Sequence, residues 1–200
     1  PVDPDAKGQI RVERLICEEY SCKMQPAYIP RMLHDGDELI SEDELLAKHD
    51  VIIVLAEPGA GKTELLRSLA AKLAVEPYRA SLFRHRDFPA PVQAIVVDAL
   101  DEVAKVDLAA IDMVIEKARA TKAAKVVLSS RSSEWDKART RLVKECFLHD
   151  PATVHVQPFS EEEQEQLFNS YMPGEDFSHF KSEVVQFALD SLLGNPQFLK

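Results

Sequence analysis

The 200-residue sequence contains no run of about 18 apolar residues, the length a helix needs to cross a bilayer. It also lacks the charged start and short apolar core of a signal peptide. Neither a membrane span nor secretion is therefore expected. Basic charge is in short supply: 24 Lys and Arg stand against 34 Asp and Glu, a formal net charge of −10. At long range that field repels phosphodiester backbones and anionic lipid, which argues against nucleic acid or a membrane surface as the partner. A local basic patch stays open. Cysteine is sparse and unpaired in pattern. Cys17, Cys22 and Cys146 are odd in number and lack zinc-type spacing, which points to reduced thiols in a cytoplasmic setting. The lone C-x4-C of Cys17 and Cys22 reads as two ordinary thiols. The chain starts with Pro rather than Met and stops inside a helical pattern, so it reads as a piece of a longer protein.

What the sequence does have is a hydrophobic content of 46%, enough for the core of one domain or of one domain plus part of another. Residues 1–30 have weak periodicity, and RVERLICEEY fits a strand or a short helix equally. SEDELLAKH places Ser41 three residues before Glu44, a capping box that predicts a helix start. From there strands and helices alternate. VIIVLA (51–56), YRASLF (78–83), AIVVDAL (94–100), AKVVLSSR (124–131) and TVHVQPF (153–159) read as strands. The continuous apolar runs among them suit strands buried on both faces. Between them, Leu65, Leu66, Leu69, Ala70 and Leu73 form one helical stripe, and Leu108, Ile111, Val114, Ile115 and Ala118 another. SSEWDKARTRLVKECF reads as a helix with Ser133 and Asp136 in capping-box positions. SEEEQEQLFNSYM and SEVVQFALDSLLG follow as two more. This alternation predicts an α/β domain with a parallel sheet and helices on both faces.

The segment Ala56-Glu57-Pro58-Gly59-Ala60-Gly61-Lys62-Thr63 matches the phosphate-binding loop G-x-x-x-x-G-K-[ST] everywhere but its first position. Gly59 and Gly61 let successive amides turn toward one point, and the helix after Lys62 adds its positive end there. Lys62 is expected at the terminal phosphates and the Thr63 hydroxyl at Mg2+. Ala56 in place of Gly is tolerable where φ stays negative. A ligand-free glycine-rich turn is the competing reading. It does not account for the buried strand before the loop, the amphipathic helix after it and the Lys-Thr pair together. AIVVDALDEV then places Asp98, Asp101 and Glu102 at a strand's carboxyl end, where ligands bind in open α/β sheets. Asp98 suits the Mg2+ shell, and the second acidic pair can polarise a water aimed at the γ-phosphate. A solvated acidic turn capping the next helix is the alternative.

AEPGAGKT together with VVDALDE resembles the NACHT group of STAND P-loop NTPases. That group's pattern is Gly-Glu-Pro-Gly-x-Gly-Lys-[Ser/Thr] (Walker A) and Asp-[Gly/Ala/Ser]-x-Asp-Glu (Walker B). Plain AAA+ proteins usually set Asp and Glu side by side. The resemblance covers roughly residues 28–200. It implies a nucleotide cradle of Glu57, Pro58, Gly59, Ala60, Gly61, Lys62, Thr63 and Glu64, with Thr63 and Asp98 as the metal-side residues. Asp101 and Glu102 become the hydrolytic acids. VVLSSR resembles the family's sensor-1 strand and makes Arg131 the γ-phosphate reader; an Arg capping the sheet edge or pairing with Glu134 is the plainer reading. LLGNPQFLK resembles the proline-containing motif of the family's helical lid, which makes Pro196 a base contact. YIPRML (28–33) stands where the family has a segment beside the nucleotide. The short Walker A to Walker B spacing resembles the compact bacterial branch.

The resemblance further implies a three-layer P-loop NTPase with a parallel five-stranded sheet of order 5-1-4-3-2. Residues 1–49 would lead into the core, 50–159 would form it and 160–200 would begin the lid. The implied function is that of an ATP-binding and slowly ATP-hydrolysing module of a signalling switch in bacterial defence against phage. ATP or ADP with Mg2+ would control self-association of the full-length protein, under a trigger the sequence does not name. An AAA+ motor or loader, or a nucleotide scaffold that does not hydrolyse, are the other readings.

Overall fold

The computed structural model describes residues 28–199, apart from 90, 106 and 108. Cys17, Cys22, the RVERLICEEY segment and Leu108 of the second helical stripe lie outside the described residues. In chain order the elements are β1 (Met32–Asp35), β2 (Glu38–Ser41), α1 (Glu42–Lys48), β3 (Val51–Ala56), α2 (Lys62–Lys72), β4 (Pro77–Arg79), α3 (Ala80–Phe83), β5 (Ala94–Asp98), α4 (Leu100–Ala104), α5 (Ala109–Ala120), β6 (Lys125–Arg131), α6 (Lys137–Phe147), β7 (Ala152–Val156), α7 (Glu161–Tyr171), α8 (Phe177–Gln186) and α9 (Asp190–Leu193). Short 3-10 turns cover Ser132–Glu134 and Pro196–Phe198.

All six residues of β3 are buried, and their alternation sorts them between two cores. Val51, Ile53 and Leu55 point into a cluster with α3, α4, α5 and α6. Ile52, Val54 and Ala56 point into one with α1, α2 and the β1–β2 hairpin. β5 and β6 divide in the same way, which is why these strands read as unbroken apolar runs rather than as alternating ones. Each fully buried Val, Leu or Ile contributes about 1.5–3 kcal/mol, so these strands anchor the domain. The result is three layers, helices on both faces of one sheet.

The sheet has seven strands, in the order β2-β1-β7-β3-β6-β5-β4, and not the five expected. β7, β3, β6, β5 and β4 run parallel, in the order expected of the five. The two additional strands form a hairpin that joins antiparallel at the β7 edge, with Leu33 opposite Val156. Its strands have four residues each and bury chiefly Leu33 and Ile40, too little apolar pattern to register. The Gly36-Asp37 turn between them was the available signal.

Several boundaries also moved for local reasons. YRASLF is a strand only to Arg79; Ala80 and Phe83, spaced for a helical turn, then turn into the core. The α6 helix is capped by Asp136, which accepts from Arg139 N at 2.9 Å, while Ser133 lies in the preceding 3-10 turn. β7 stops at Val156, two residues before Pro158, whose ring nitrogen cannot join a ladder. The last helical segment starts at Phe177 and breaks where Ala188 adopts φ 55°. The Ser41–Glu44 capping box is formed in both directions. A third, smaller cluster of Phe159, Leu167, Leu193 and Leu199 holds the C-terminal helices together beside Ile29.

Candidate functional site

The parallel register brings four strand ends to one edge. Ala56 lies beside Arg131, and Arg79 beside Asp98. Chain that leaves these ends lines a cleft of about 1300 Å3. Ala56 completes β3 in extended backbone, and the positive angles fall on Gly59 (φ 81°) and Gly61 (φ 86°), the residues that bear them cheaply. Gly61 caps α2, so the helix opens at Lys62 and directs its unsatisfied amides back into the loop.

β5 ends on Asp98, and Ala99 then takes a left-handed conformation (φ 62°, ψ 48°) that turns the chain into α4. The turn is held by a relay: Ala99 N donates to Ser129 Oγ at 3.1 Å, and Ser129 Oγ donates to Asp98 Oδ1 at 2.6 Å. The other Asp98 oxygen accepts from Thr63 Oγ1 at 3.2 Å. Asp101, only 2% exposed, uses both carboxylate oxygens on cations. Oδ1 stands 3.2 Å from Lys62 Nζ and Oδ2 2.9 Å from Arg131 Nε. Glu102, one residue on, is exposed in the cleft wall, and its carboxylate makes no hydrogen bond or ion pair among the described residues.

All the residues singled out from the sequence thus meet in one place. Glu57, Pro58, Gly59, Gly61, Lys62, Thr63, Glu64, Asp98, Asp101, Glu102, Arg131 and Pro196 line the cleft; Ala60 is buried beneath it. Arg131 pairs with Asp101 rather than with Glu134. Pro196 meets the loop itself, its Cγ 3.5 Å from where a Cβ on Gly61 would stand.

Other residues escaped sequence reasoning. Asn195 Nδ2 donates to Pro58 O at 3.1 Å, and Asn195 and Gln197 crowd Gly59 so closely that a Cβ there would meet them at 2.6 to 2.8 Å. Burial, with the negative charge of Glu64 beside it, pushes the Tyr171 hydroxyl above its usual pKa. On the far side, Glu42 is a buried carboxylate fixed by Tyr28 OH, Arg31 N at 2.8 Å and Ser68 Oγ at 2.6 Å. Burial, with that Glu42 contact, drives the Tyr28 phenol far above its usual range. Arg31 is 4% exposed; burial pulls its pKa down, and Glu163, Tyr28 and Glu42 oppose the shift. No local pattern marks these residues, because their partners lie far away in sequence; only the resemblance of YIPRML pointed toward the segment.

The donor set suits a nucleotide polyphosphate and a hard cation. Two glycine-borne turns, a helix start, an ammonium and a guanidinium converge on the cleft, which is what a phosphate chain requires. Thr63 and Asp98 supply adjacent oxygens of the type Mg2+ accepts. The family model described as Novel STAND NTPase 3 matches residues 37–173, well over half of the chain. No curated protein matches it.

Proposed function

Because the chain belongs to the Novel STAND NTPase 3 family, we propose that it binds ATP and ADP with Mg2+ in this cleft and hydrolyses ATP slowly. The observation that carries the reading is the gathering of Lys62, Arg131 and Asp101 beside the Thr63–Asp98 pair at one carboxyl edge. The amides of Gly59–Thr63 and the start of α2 receive the phosphates, and Lys62 moves between Asp101 and the terminal phosphate. Thr63 and Asp98 hold Mg2+, which when bound neutralises phosphate charge. Glu102, exposed and uncommitted, is the acid that orients water and takes its proton. Asp101 holds Lys62 and Arg131 in position in the free protein, one cation on each carboxylate oxygen, and stands with Glu102 as the second hydrolytic acid. Arg131 reads the γ-phosphate, and Pro196 packs near the base.

In this reading residues 50–159 are the core and 160–200 the start of a lid. ATP and ADP differ in how they hold core and lid together, so the nucleotide shifts the population of closed and open states. The resemblance drawn from the sequence extends this to self-association of the full-length protein, in bacterial defence against phage, in the cytoplasm. Among the described residues no helix is long and apolar enough to cross a membrane.

The test is the nucleotide released when purified protein is denatured, together with calorimetric titration of Lys62→Ala. Close to one ADP or ATP per chain is expected, with affinity falling roughly tenfold or more in the variant, the weight of a charged hydrogen bond. Absence of bound nucleotide and of any titratable binding with Mg2+ would end this reading.

A further inference from the structure

Arg31 is buried against the phosphate loop in the wall of the same cleft, yet none of the roles above uses it. Its Nη1 donates to Ala60 O at 3.3 Å. Its Nη2 donates to Gln157 O, where the chain leaves β7. The guanidinium lies 4.1 Å from the centroid of the Phe159 ring, and Nε stands 3.9 Å from Glu163 on α7. Phe159 belongs to the core of the C-terminal helices. One planar group thus touches the loop, the strand exit and the lid.

The Ala60 contact has a geometric consequence. In a trans peptide the carbonyl and the following N–H point in opposite directions. An Ala60 carbonyl anchored on Arg31 therefore fixes the Gly61 N–H on the side away from Arg31, and Gly61 lines the cleft. Glycine lies on one side of this peptide, so rotating it meets little steric resistance. A flipped peptide would present an oxygen to the phosphates. The anchor is what opposes that flip.

We propose that Arg31 is a positioning residue that holds the Ala60–Gly61 peptide in its phosphate-binding orientation and ties that orientation to the docking of the lid. The loop half rests on the nucleotide reading above; the lid half does not. A fork is needed, because the carbonyls of Ala60 and Gln157 and the Phe159 ring are engaged at once, and an ammonium cannot reproduce planar contacts of that kind.

The experiment pairs Arg31→Lys and Arg31→Met with Glu163→Gln, a change that keeps the capping contact to Ser160 while removing the charge. Two quantities are read: ADP affinity with Mg2+ by calorimetry, and hydrogen exchange of α7 amides without ligand. Both Arg31 variants are expected to lose about tenfold in ADP affinity and to raise α7 exchange by a similar factor, the weight of one charge-assisted hydrogen bond. Glu163→Gln, which should fold even if an Arg31 variant does not, is expected to raise α7 exchange while leaving ADP affinity nearly intact. Full rescue by Arg31→Lys would overturn the proposal, because charge alone would then suffice. So would unchanged exchange and affinity in Arg31→Met, or unchanged α7 exchange in Glu163→Gln. If the parent binds no ADP while the Arg31 variants still raise α7 exchange, the nucleotide reading fails and the tie to the lid stands.

Discussion

Replacing Asp101 by Asn should weaken the free protein and strengthen its hold on nucleotide. Asp101 is 2% exposed and neutralises two cations, Lys62 at 3.2 Å and Arg131 at 2.9 Å. The amide keeps the shape and one acceptor, but its NH2 must face a cation. Breaking a buried pair by removing one partner costs about 3–5 kcal/mol. Arg131 is 38% exposed, so water screens its share, and about 2–3 kcal/mol is the reasonable loss. For a chain of this size that lowers Tm by roughly 4–12 °C. Nucleotide binding responds in the opposite direction, because the carboxylate competes with the phosphates for Lys62. Removing one negative charge from beside the phosphates is worth on the order of 2 kcal/mol at an effective dielectric near 20. Salt reduces this further, leaving about a tenfold gain in ADP affinity. The assay is a thermal melt of parent and variant with and without ADP and Mg2+, backed by calorimetry. The variant should melt lower when free and gain more from ADP than the parent does. Weaker ADP binding in the variant would refute the reasoning and make Asp101 a direct partner of the metal or its waters.

Three further outcomes are expected. Glu102→Gln should keep ATP affinity while lowering the hydrolysis rate on the order of 100-fold, the usual weight of a general base; a parental rate measured by phosphate release would remove Glu102 from that role. At Ala99, whose left-handed backbone costs an L-residue about 1–2 kcal/mol, Gly should be neutral or slightly stabilising and Val clearly destabilising. Urea midpoints that move the same way for both would contradict this account of the turn. Gly59→Ala would put a methyl 2.6 Å from the Asn195 side chain at φ 81°, and should raise exchange or proteolysis around residues 195–199. An unchanged pattern there would show that the loop and residues 195–199 are not packed as described.

The sheet and the cleft were legible in the sequence to different depths. A strand buried on both faces, such as β3, writes its state into six consecutive residues, and a phosphate loop needs glycine at positions fixed by backbone geometry. Both are local requirements. The hairpin carries its information in the register between Leu33 and Val156, more than a hundred residues apart, and four-residue strands leave little periodicity to read. Glu42 illustrates the same limit. At the first position of α1 it passes for an ordinary helix-start acid, yet its carboxylate is buried and shared among Tyr28, Arg31 and Ser68. Arg31, set between Pro30 and Met32, gives no sign that Ala60, Gln157 and Phe159 will close around it.

The spacing of the three acids follows from the step at residue 99. In a continuing strand Asp101 would lie about 10 Å beyond Asp98, out over the edge and on the opposite face. The left-handed Ala99 ends the strand and starts α4, so Asp101 turns back beneath Lys62 and Arg131 while Asp98 stays aligned with Thr63. A β-branched side chain at 99 would strain that turn further. The hydroxyl of Ser129 then receives the freed Ala99 amide and passes its own proton toward Asp98, coupling the turn to the carboxylate. Glu102 emerges one residue later on the solvent side of the same helical turn. Three carboxylates separated as D-x-x-D-E reach Thr63, the two cations and the open cleft at once, because the backbone takes one left-handed step between the first and the second.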